Sequence, residues 1–305
     1  MKKLAKLPGP QITLVNEVDD DPSPPVDFEF LDKLKLGDGL TAYDPSSQVW
    51  GCNCPTSGCV DPTSCTDFDD FEPDSPHRMF AYGKHGRLLS ARGNEVAIYE
   101  CNLNCPCDMG CVNRLVQRGR KIPLEIFKTA NKGWGLRCPQ KLQRGVLVEV
   151  YLGEVITSEE ADKRYGFGEG VSYLFQLDKF STILEKHHQD ELSAGMAGAE
   201  EEDSGEDSPY CIDGKQCGSV ARFINHSCQP NLDVYCVVSD RRDGRVYDIA
   251  LFTNRIIEAG EELTFSYTER HPKMMDSKKA GTDYAKCLCG AKKCAGYLWT
   301  AQNVD

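Results

Sequence analysis

The stretch ARFINHSC, residues 221–228, closes a short apolar run with a compact polar cluster, Asn225-His226-Ser227-Cys228. Its last residue matters because of a second set, Cys287-x-Cys289-x4-Cys294, which supplies only three thiols. Structural zinc takes four ligands tetrahedrally, and thiolate sulfur is a preferred one. A fourth ligand must therefore come from elsewhere in the chain. Cys138, Cys211, Cys217, Cys228 and Cys236 are the candidates. If Cys228 closes the set, zinc pins the C-terminal segment over the polar cluster.

Further upstream, eight more cysteines fall in two tight blocks, Cys52-x-Cys54-x4-Cys59-x5-Cys65 and Cys101-x3-Cys105-x-Cys107-x3-Cys111. Cysteines one residue apart point in nearly the same direction, as a metal cage needs, and disulfide pairing between such neighbours is strained. The start, MKKLAKLPGP, is basic but lacks the apolar stretch of a signal peptide. A reducing compartment follows, where dense cysteine reads as metal rather than disulfide. No apolar run approaches the length of a membrane span, and no membrane association is expected.

The net charge of −12 is unevenly spread. Residues 185–209 carry nine acidic side chains against Lys186, which is −8 in one segment and leaves −4 for the rest. This insert reads as a solvated, disordered loop. An acidic chain without a basic stripe is a poor candidate for a zinc-finger nucleic-acid binder, and no direct sequence-specific DNA binding is expected. The charge is compatible with a basic partner.

Residues 1–47 are Pro- and Asp-rich and read as an N-terminal arm with room for one short helix. Residues 48–112 hold so little apolar sequence that a small module nucleated by zinc fits best. From 122 to 185 short β-branched and aromatic runs are broken by Gly: IPLEIFKT, GWGLRC, GVLVEVYLGEVI, SYLFQLD. After the acidic insert come ARFINHSC, NLDVYCVVS, RVYDIALFTN and ELTFSY, again strand-like. TSEEADKRY, 157–165, opens with a Thr/Ser cap and two glutamates in its first turn and predicts a short helix. The fold class is therefore mainly β, with small sheets and few short helices.

At FINHSC the chain resembles the SET-domain protein lysine methyltransferases, specifically the Su(var)3-9 group, and most of all the fungal histone H3 lysine-9 (heterochromatin) enzymes. The likeness runs from about residue 50 to 300. It rests on the paired cysteine blocks with VNRLVQRGR (112–120), KGWGLR (132–137), ARFINHSC (221–228), ELTFSY (262–267) and CLCGAKKCAGYLW (287–299), in family order. YLGEVITSEEAD (151–162) and YLFQLDKF (173–180) match as well. The resemblance implies a pre-SET zinc cluster at 48–112, a SET catalytic domain at 120–270 with a pseudoknot, and a post-SET zinc loop at 285–301. It also implies that Cys228 is the fourth ligand beside Cys287, Cys289 and Cys294.

The implied activity is transfer of methyl groups from S-adenosylmethionine to lysine 9 of histone H3. The H3 N-terminal tail would be the substrate, chromatin and the nucleosome the setting, and nuclear heterochromatin the location. Tyr173 and Tyr267 are the implied catalytic residues: Tyr173 beside the transferring methyl, Tyr267 orienting the amine and aiding proton loss. Lys132, Gly133, Trp134, Gly135, Arg222, Asn225, His226 and Trp299 would hold the cofactor, His226 chiefly through backbone groups. Phe265 would set product number, and Phe at that position implies di- and trimethylation. The tail would add as a strand, with the acidic insert drawing it in.

The chain departs from the family at two positions. The family's pre-SET module binds three zincs with nine cysteines, and Asp67 stands where the ninth belongs. A carboxylate can ligate zinc. We therefore expect three zincs held by Cys52, Cys54, Cys59, Cys65, Asp67, Cys101, Cys105, Cys107 and Cys111, and a fourth zinc in the post-SET site. Ser266 replaces an Asp common in the family. Two other readings stay open: a SET enzyme for another histone or nonhistone lysine, and a catalytically lapsed, zinc-dependent chromatin-binding protein.

Overall fold

The computed structural model describes residues 4–21, 24, 28–40, 51–60, 80–89, 97–165, 173–177, 210–239, 246–267 and 285–298. Cys65, Asp67, the acidic insert 185–209 and Trp299 lie outside the described residues. Strands dominate, and the runs of Val, Ile, Leu, Phe and Tyr broken by Gly account for that. Among the described residues there is one α-helix, Ser158–Tyr165. The Thr157 hydroxyl caps it by accepting from the Glu160 backbone N–H at 3.2 Å. Glu160 and Arg164 then pair one turn apart at 2.9 Å. Among the described residues no helix is long and apolar enough to cross a membrane.

A five-stranded sheet runs in the order Ile12–Val15, Leu124–Lys128, Trp134–Arg137, Glu262–Phe265, Asn225–His226. Leu124–Lys128 and Trp134–Arg137 form an antiparallel hairpin. Its turn is closed by Thr129, whose backbone N–H and hydroxyl both donate to the Gly133 carbonyl. Gly133 itself sits at φ 70°, a left-handed conformation that costs other residues strain. At the far edge the short strand Asn225–His226 lies parallel to Glu262–Phe265, with Asn225 opposite Thr264 and His226 opposite Phe265.

A second sheet orders Ile98–Tyr99, Leu232–Val238, Asp248–Thr253 and Leu147–Tyr151, so that the cysteine-rich region is joined to the body by strand pairing. A third orders Lys35–Leu36, Glu154–Thr157, Tyr210–Asp213 and Leu174–Gln176. The end strand Leu174–Gln176 directly follows Tyr173. The two short pairs are Glu29–Phe30 with Cys217–Gly218, and Ala285–Lys286 with Tyr297–Leu298.

The main core lies between these sheets. Leu124, Ile126, Leu136, Val148, Val155, Ile212, Leu251 and Leu263 are all fully buried. Each such side chain contributes roughly 1.5–3 kcal/mol relative to an exposed one. The N-terminal residues, expected as an arm, instead add strands to three sheets. Ile12, Phe28 and Leu34 are buried there. The apolar residues come in short runs, ITLV at 12–15 and FEFLDKLKL at 28–36, separated by Pro and Asp, and each short run takes its register from the sheet edge it covers.

Candidate active site and metal centres

The first metal centre is built from thiols that backbone N–H groups already cradle. Cys52, Cys54, Cys59, Cys101, Cys105, Cys107 and Cys111 form one buried cluster. Within it the sulfurs of Cys52, Cys59, Cys101 and Cys107 all lie within 4.8 Å of one another. Tetrahedral zinc with thiolates at about 2.3 Å requires sulfur separations of roughly 3.8 Å. The Cys52–Cys59 pair at 3.8 Å fits that geometry, and Cys59–Cys101 at 3.3 Å is somewhat tighter. Cys52 N–H donates to the Cys105 sulfur, and Cys59 N–H to that of Cys111, each at 3.3 Å. Such donors favour thiolate over thiol.

The motif VNRLVQRGR ties this cluster to the catalytic body. Asn113 donates its side chain to the Tyr99 carbonyl at 3.1 Å. The Arg114 guanidinium reaches the Asn102 carbonyl at 2.6 Å. Burial alone would lower its pKa, but the sulfurs of Cys107, Cys101 and Cys105 outweigh that and raise it. Arg114 is thus a fixed positive charge beside an anionic cluster. The buried Glu100 accepts from the backbone of Val116 and Gln117. Arg120 pairs with Glu149 on the strand Leu147–Tyr151 at 3.1 Å.

The second centre joins Cys228 to Cys287, Cys289 and Cys294, whose sulfurs also lie within 4.8 Å of one another. Cys228 is 3.9 Å from Cys287 and 4.0 Å from Cys294, again the spacing of a four-thiolate zinc site. Of the five cysteines the sequence left open, Cys228 completes the set. Burial opposes ionisation of Cys289, but N–H donors from Cys228 and Ala291 and its thiol neighbours lower it to about 6.

Next to the second centre the polar cluster is fastened to Glu262–Phe265. Ser227 N–H donates to the Phe265 carbonyl at 3.0 Å. The buried Asn231 works from both ends of its amide: Oδ1 accepts from Thr264 N–H at 2.8 Å, and Nδ2 donates to the Glu262 carbonyl at 2.8 Å. Tyr267 then folds back. Its backbone N–H donates to His226 Nδ1 at 3.1 Å and its hydroxyl to the Ile224 carbonyl at 2.9 Å. The residue is 44% exposed, yet its hydroxyl is bonded to the Ile224 carbonyl, and burial pushes its pKa well up, with Tyr173 and Glu262 adding to the effect. The Phe265 ring lies 4.9 Å from that of Tyr267 and is itself buried.

Tyr173 is fixed by its carbonyl, which accepts from the Tyr151 hydroxyl at 2.7 Å and from Gly214 N–H at 3.1 Å. Arg222 lies over the Tyr173 ring at 4.7 Å and over Phe28 at 4.0 Å. Burial lowers the Arg222 pKa, while Tyr173 and Tyr151 pull it back up. Asn225 Nδ2 donates to the Trp134 carbonyl at 3.3 Å and to Glu262 Oε1 at 2.9 Å. The other Glu262 oxygen takes the Lys132 ammonium. A Cβ on Gly135 would meet Thr129 at 2.9 Å and Phe127 at 3.0 Å, so the KGWG loop admits nothing larger there.

The structure therefore brings Lys132–Gly135, Asn225 and His226 together, and sets Tyr173, Arg222, Phe265 and Tyr267 around a shared aromatic wall. Sequence reasoning missed Glu262, Tyr151 and Asn231. Glu262 and Tyr151 lie inside motifs quoted for other residues, ELTFSY and YLGEVI; Asn231 lies three positions beyond NHSC with no signal of its own.

A mostly β fold flanked by two thiol clusters, with a C-terminal strand zipped against an NHSC segment, defines a SET-type architecture. The comparisons agree. The chain matches the SET domain over residues 133–268 and the Pre-SET motif over residues 5–114. It is 40% identical over 310 residues to the histone-lysine N-methyltransferase, H3 lysine-9 specific, of Schizosaccharomyces pombe, covering 98% of this chain but 57% of that protein. It is 38% identical over 316 residues to the H3 lysine-9 specific dim-5 of Neurospora crassa, covering 97% of this chain and 89% of that protein. A solved structure of KRYPTONITE in complex with mCHH DNA, H3(1-15) peptide and SAH superposes with a TM-score of 0.70 at 28% identity, covering 95% of this chain and 52% of that one. The chain belongs to the SET-domain histone lysine methyltransferases, in the group of the fungal H3 lysine-9 enzymes and their Su(var)3-9 relatives.

Proposed function

We propose that this chain transfers methyl groups from S-adenosylmethionine to lysine 9 of the histone H3 tail, with di- and trimethylated products, in nuclear heterochromatin. The observation that carries the reading is the bonding of Tyr267 to Ile224 and His226, which sets a catalytic-type tyrosine beside the KGWG loop through Asn225. Identity of 40% and 38% over nearly the whole chain to enzymes of that specificity supports the substrate.

The cofactor supplies an activated methyl group when bound. Lys132, Gly133, Trp134, Gly135, Arg222, Asn225, His226 and Trp299 would hold it. Three zincs in the region 48–112 and one at 285–301 would hold the flanking modules to the domain at 120–270. The remaining task belongs to side chains. A lysine ε-amine must be neutral to react, and at pH 7.4 only about one part in a thousand is. Tyr173, Phe265 and Tyr267 offer an aromatic wall that strips water and disfavours ammonium. The Arg222 guanidinium behind Tyr173 acts in the same sense, since a fixed cation disfavours a second one. The Tyr267 hydroxyl, kept protonated, orients the amine lone pair rather than acting as a strong base. Alignment and electrostatics then supply most of the barrier reduction.

The strand Leu174–Gln176 ends its sheet directly after Tyr173, and a tail adding to that end by strand pairing would carry its lysine to the aromatic wall. The test is to incubate the protein with donor and an H3 tail peptide, with lysine 9 intact or replaced by arginine, and read methyl states by mass spectrometry. Methylation confined to the intact peptide is expected. Equal labelling of both would move the activity to another lysine, and no labelling of either would favour a lapsed enzyme.

A further inference from the structure

The His226 side chain bridges the C-terminal metal centre and Tyr267. Its Nδ1 lies 3.1 Å from the Tyr267 backbone nitrogen, which has a hydrogen to give and no lone pair to receive one. Nδ1 must therefore be the unprotonated nitrogen. In a neutral imidazole the proton is then on Nε2. Nε2 lies 3.3 Å from the sulfur of Cys228. A proton on that nitrogen lies within hydrogen-bonding reach of the sulfur, and a metal-bound thiolate is a good acceptor for it. The ring is further held edge-on against Tyr267, at 5.4 Å and 66°. It is buried, as is Cys228, so the N–H···S contact is shielded from competing water.

We infer that His226 is a positioning residue that couples the Cys228-Cys287-Cys289-Cys294 metal site to Tyr267, through an Nε2–H bond to the Cys228 thiolate and an Nδ1 acceptor for the Tyr267 N–H. This deepens the methyltransferase reading. It gives the side chain a task separate from the backbone contacts expected of the same residue. The Ala295 N–H, 3.4 Å from the same sulfur, is the second donor to Cys228 and comes from the metal loop itself. His226 is thus the donor that reports outward, from the loop to the centre of the SET fold. Partners of this kind tune ligand basicity and metal affinity, typically by about 10–100-fold.

The two ends of the ring can be removed one at a time. Asparagine places its carbonyl oxygen where Nδ1 was, and glutamine places its amide nitrogen where Nε2 was. His226→Asn should keep the Tyr267 acceptor and lose the sulfur donor; His226→Gln should do the reverse. Zinc affinity by chelator competition, and the thiolate-to-cobalt absorption of the cobalt-loaded protein, are read on the full chain without donor or peptide. We expect about 10-fold or greater loss of affinity and a shifted band in His226→Asn, with affinity within about 3-fold of wild type in His226→Gln. Equal affinities and unchanged bands in both variants overturn the coupling.

A wild-type measurement guards against variants that fail to fold. Nitrogen-15 NMR of the zinc-loaded protein should give the Nε2–H tautomer of His226, and a Nδ1–H tautomer overturns the inference. Because none of these readouts uses methyl transfer, they stand or fall separately from the activity. If the protein also methylates peptide, His226→Gln should lower kcat more than it alters zinc affinity, because the Tyr267 N–H loses its acceptor.

Discussion

Asn225 donates its side-chain amide to Glu262 at 2.9 Å, while the other Glu262 oxygen holds Lys132. One carboxylate thus fixes both an asparagine of the NHSC segment and the first residue of the KGWG loop. It also fixes which way the Asn225 amide faces, leaving Oδ1 as the remaining acceptor.

Glu262→Gln removes the ion pair and turns a dependable acceptor into a group that can face Asn225 with its own N–H. Donor affinity by calorimetry should weaken about tenfold, or about 1.4 kcal/mol. An unaltered Kd would mean that Lys132 and Asn225 find their positions without the carboxylate.

Phe265 touches the Tyr267 ring and is buried. A hydroxyl added there enters the space that further methyl groups would need, and it can hold water against the amine. Phe265→Tyr should shift the product toward the monomethyl state on mass spectrometry. Undiminished trimethyl yield would sink the assignment of product control to this position.

Tyr151 is buried and its pKa is pushed well above the usual tyrosine value, first by burial and then by the neighbouring Tyr267. A tyrosine held protonated in the folded state stabilises the fold fully below its unfolded pKa of about 10, and that advantage is lost as pH rises through the folded value. Tyr151→Phe should cost about 1 kcal/mol at pH 7, from the lost bond to the Tyr173 carbonyl. The gap to wild type should narrow in denaturant unfolding above about pH 10. A constant gap from pH 7 to 11 would contradict the buried hydroxyl.

Metal analysis should return four zincs per chain if Asp67 ligates. Asp67→Cys should hold the same number and Asp67→Ala one fewer. Equal zinc in all three would show that position 67 is not a ligand.

Deleting residues 190–207 removes acidic charge that would draw in a basic tail. KM for the H3 peptide should rise at low salt and the difference should fade at high salt. An unchanged KM at low salt removes that role.

Much of this was legible before any coordinates. The cysteine spacings announced metal because thiols so close in sequence have few other uses, and Cys228 was already among five candidates. The helix at Ser158 was readable from its Thr157 cap and paired charges. What could not be read was long-range pairing. Ile12–Val15 lies beside Leu124–Lys128 only because the sheet edge is there, and no local pattern encodes a partner more than a hundred residues away. Glu262 was hidden for a related reason: a glutamate in a strand-like run reads as a solvated side chain until its two cationic or amide partners arrive from distant segments.

The hydrogen bond from Tyr267 to His226 spans 41 residues of sequence, and the approach of the Cys228 sulfur to that of Cys287 spans 59. A ribosome making this chain will have released the body of the SET fold before the last ligand, Cys294, emerges. Until then the catalytic strand has no metal loop to close against it. A chain stopped between Tyr267 and Cys294 would keep the buried core, which ends at Phe265, pass as folded by its bulk spectroscopic signature, and have an unfinished centre.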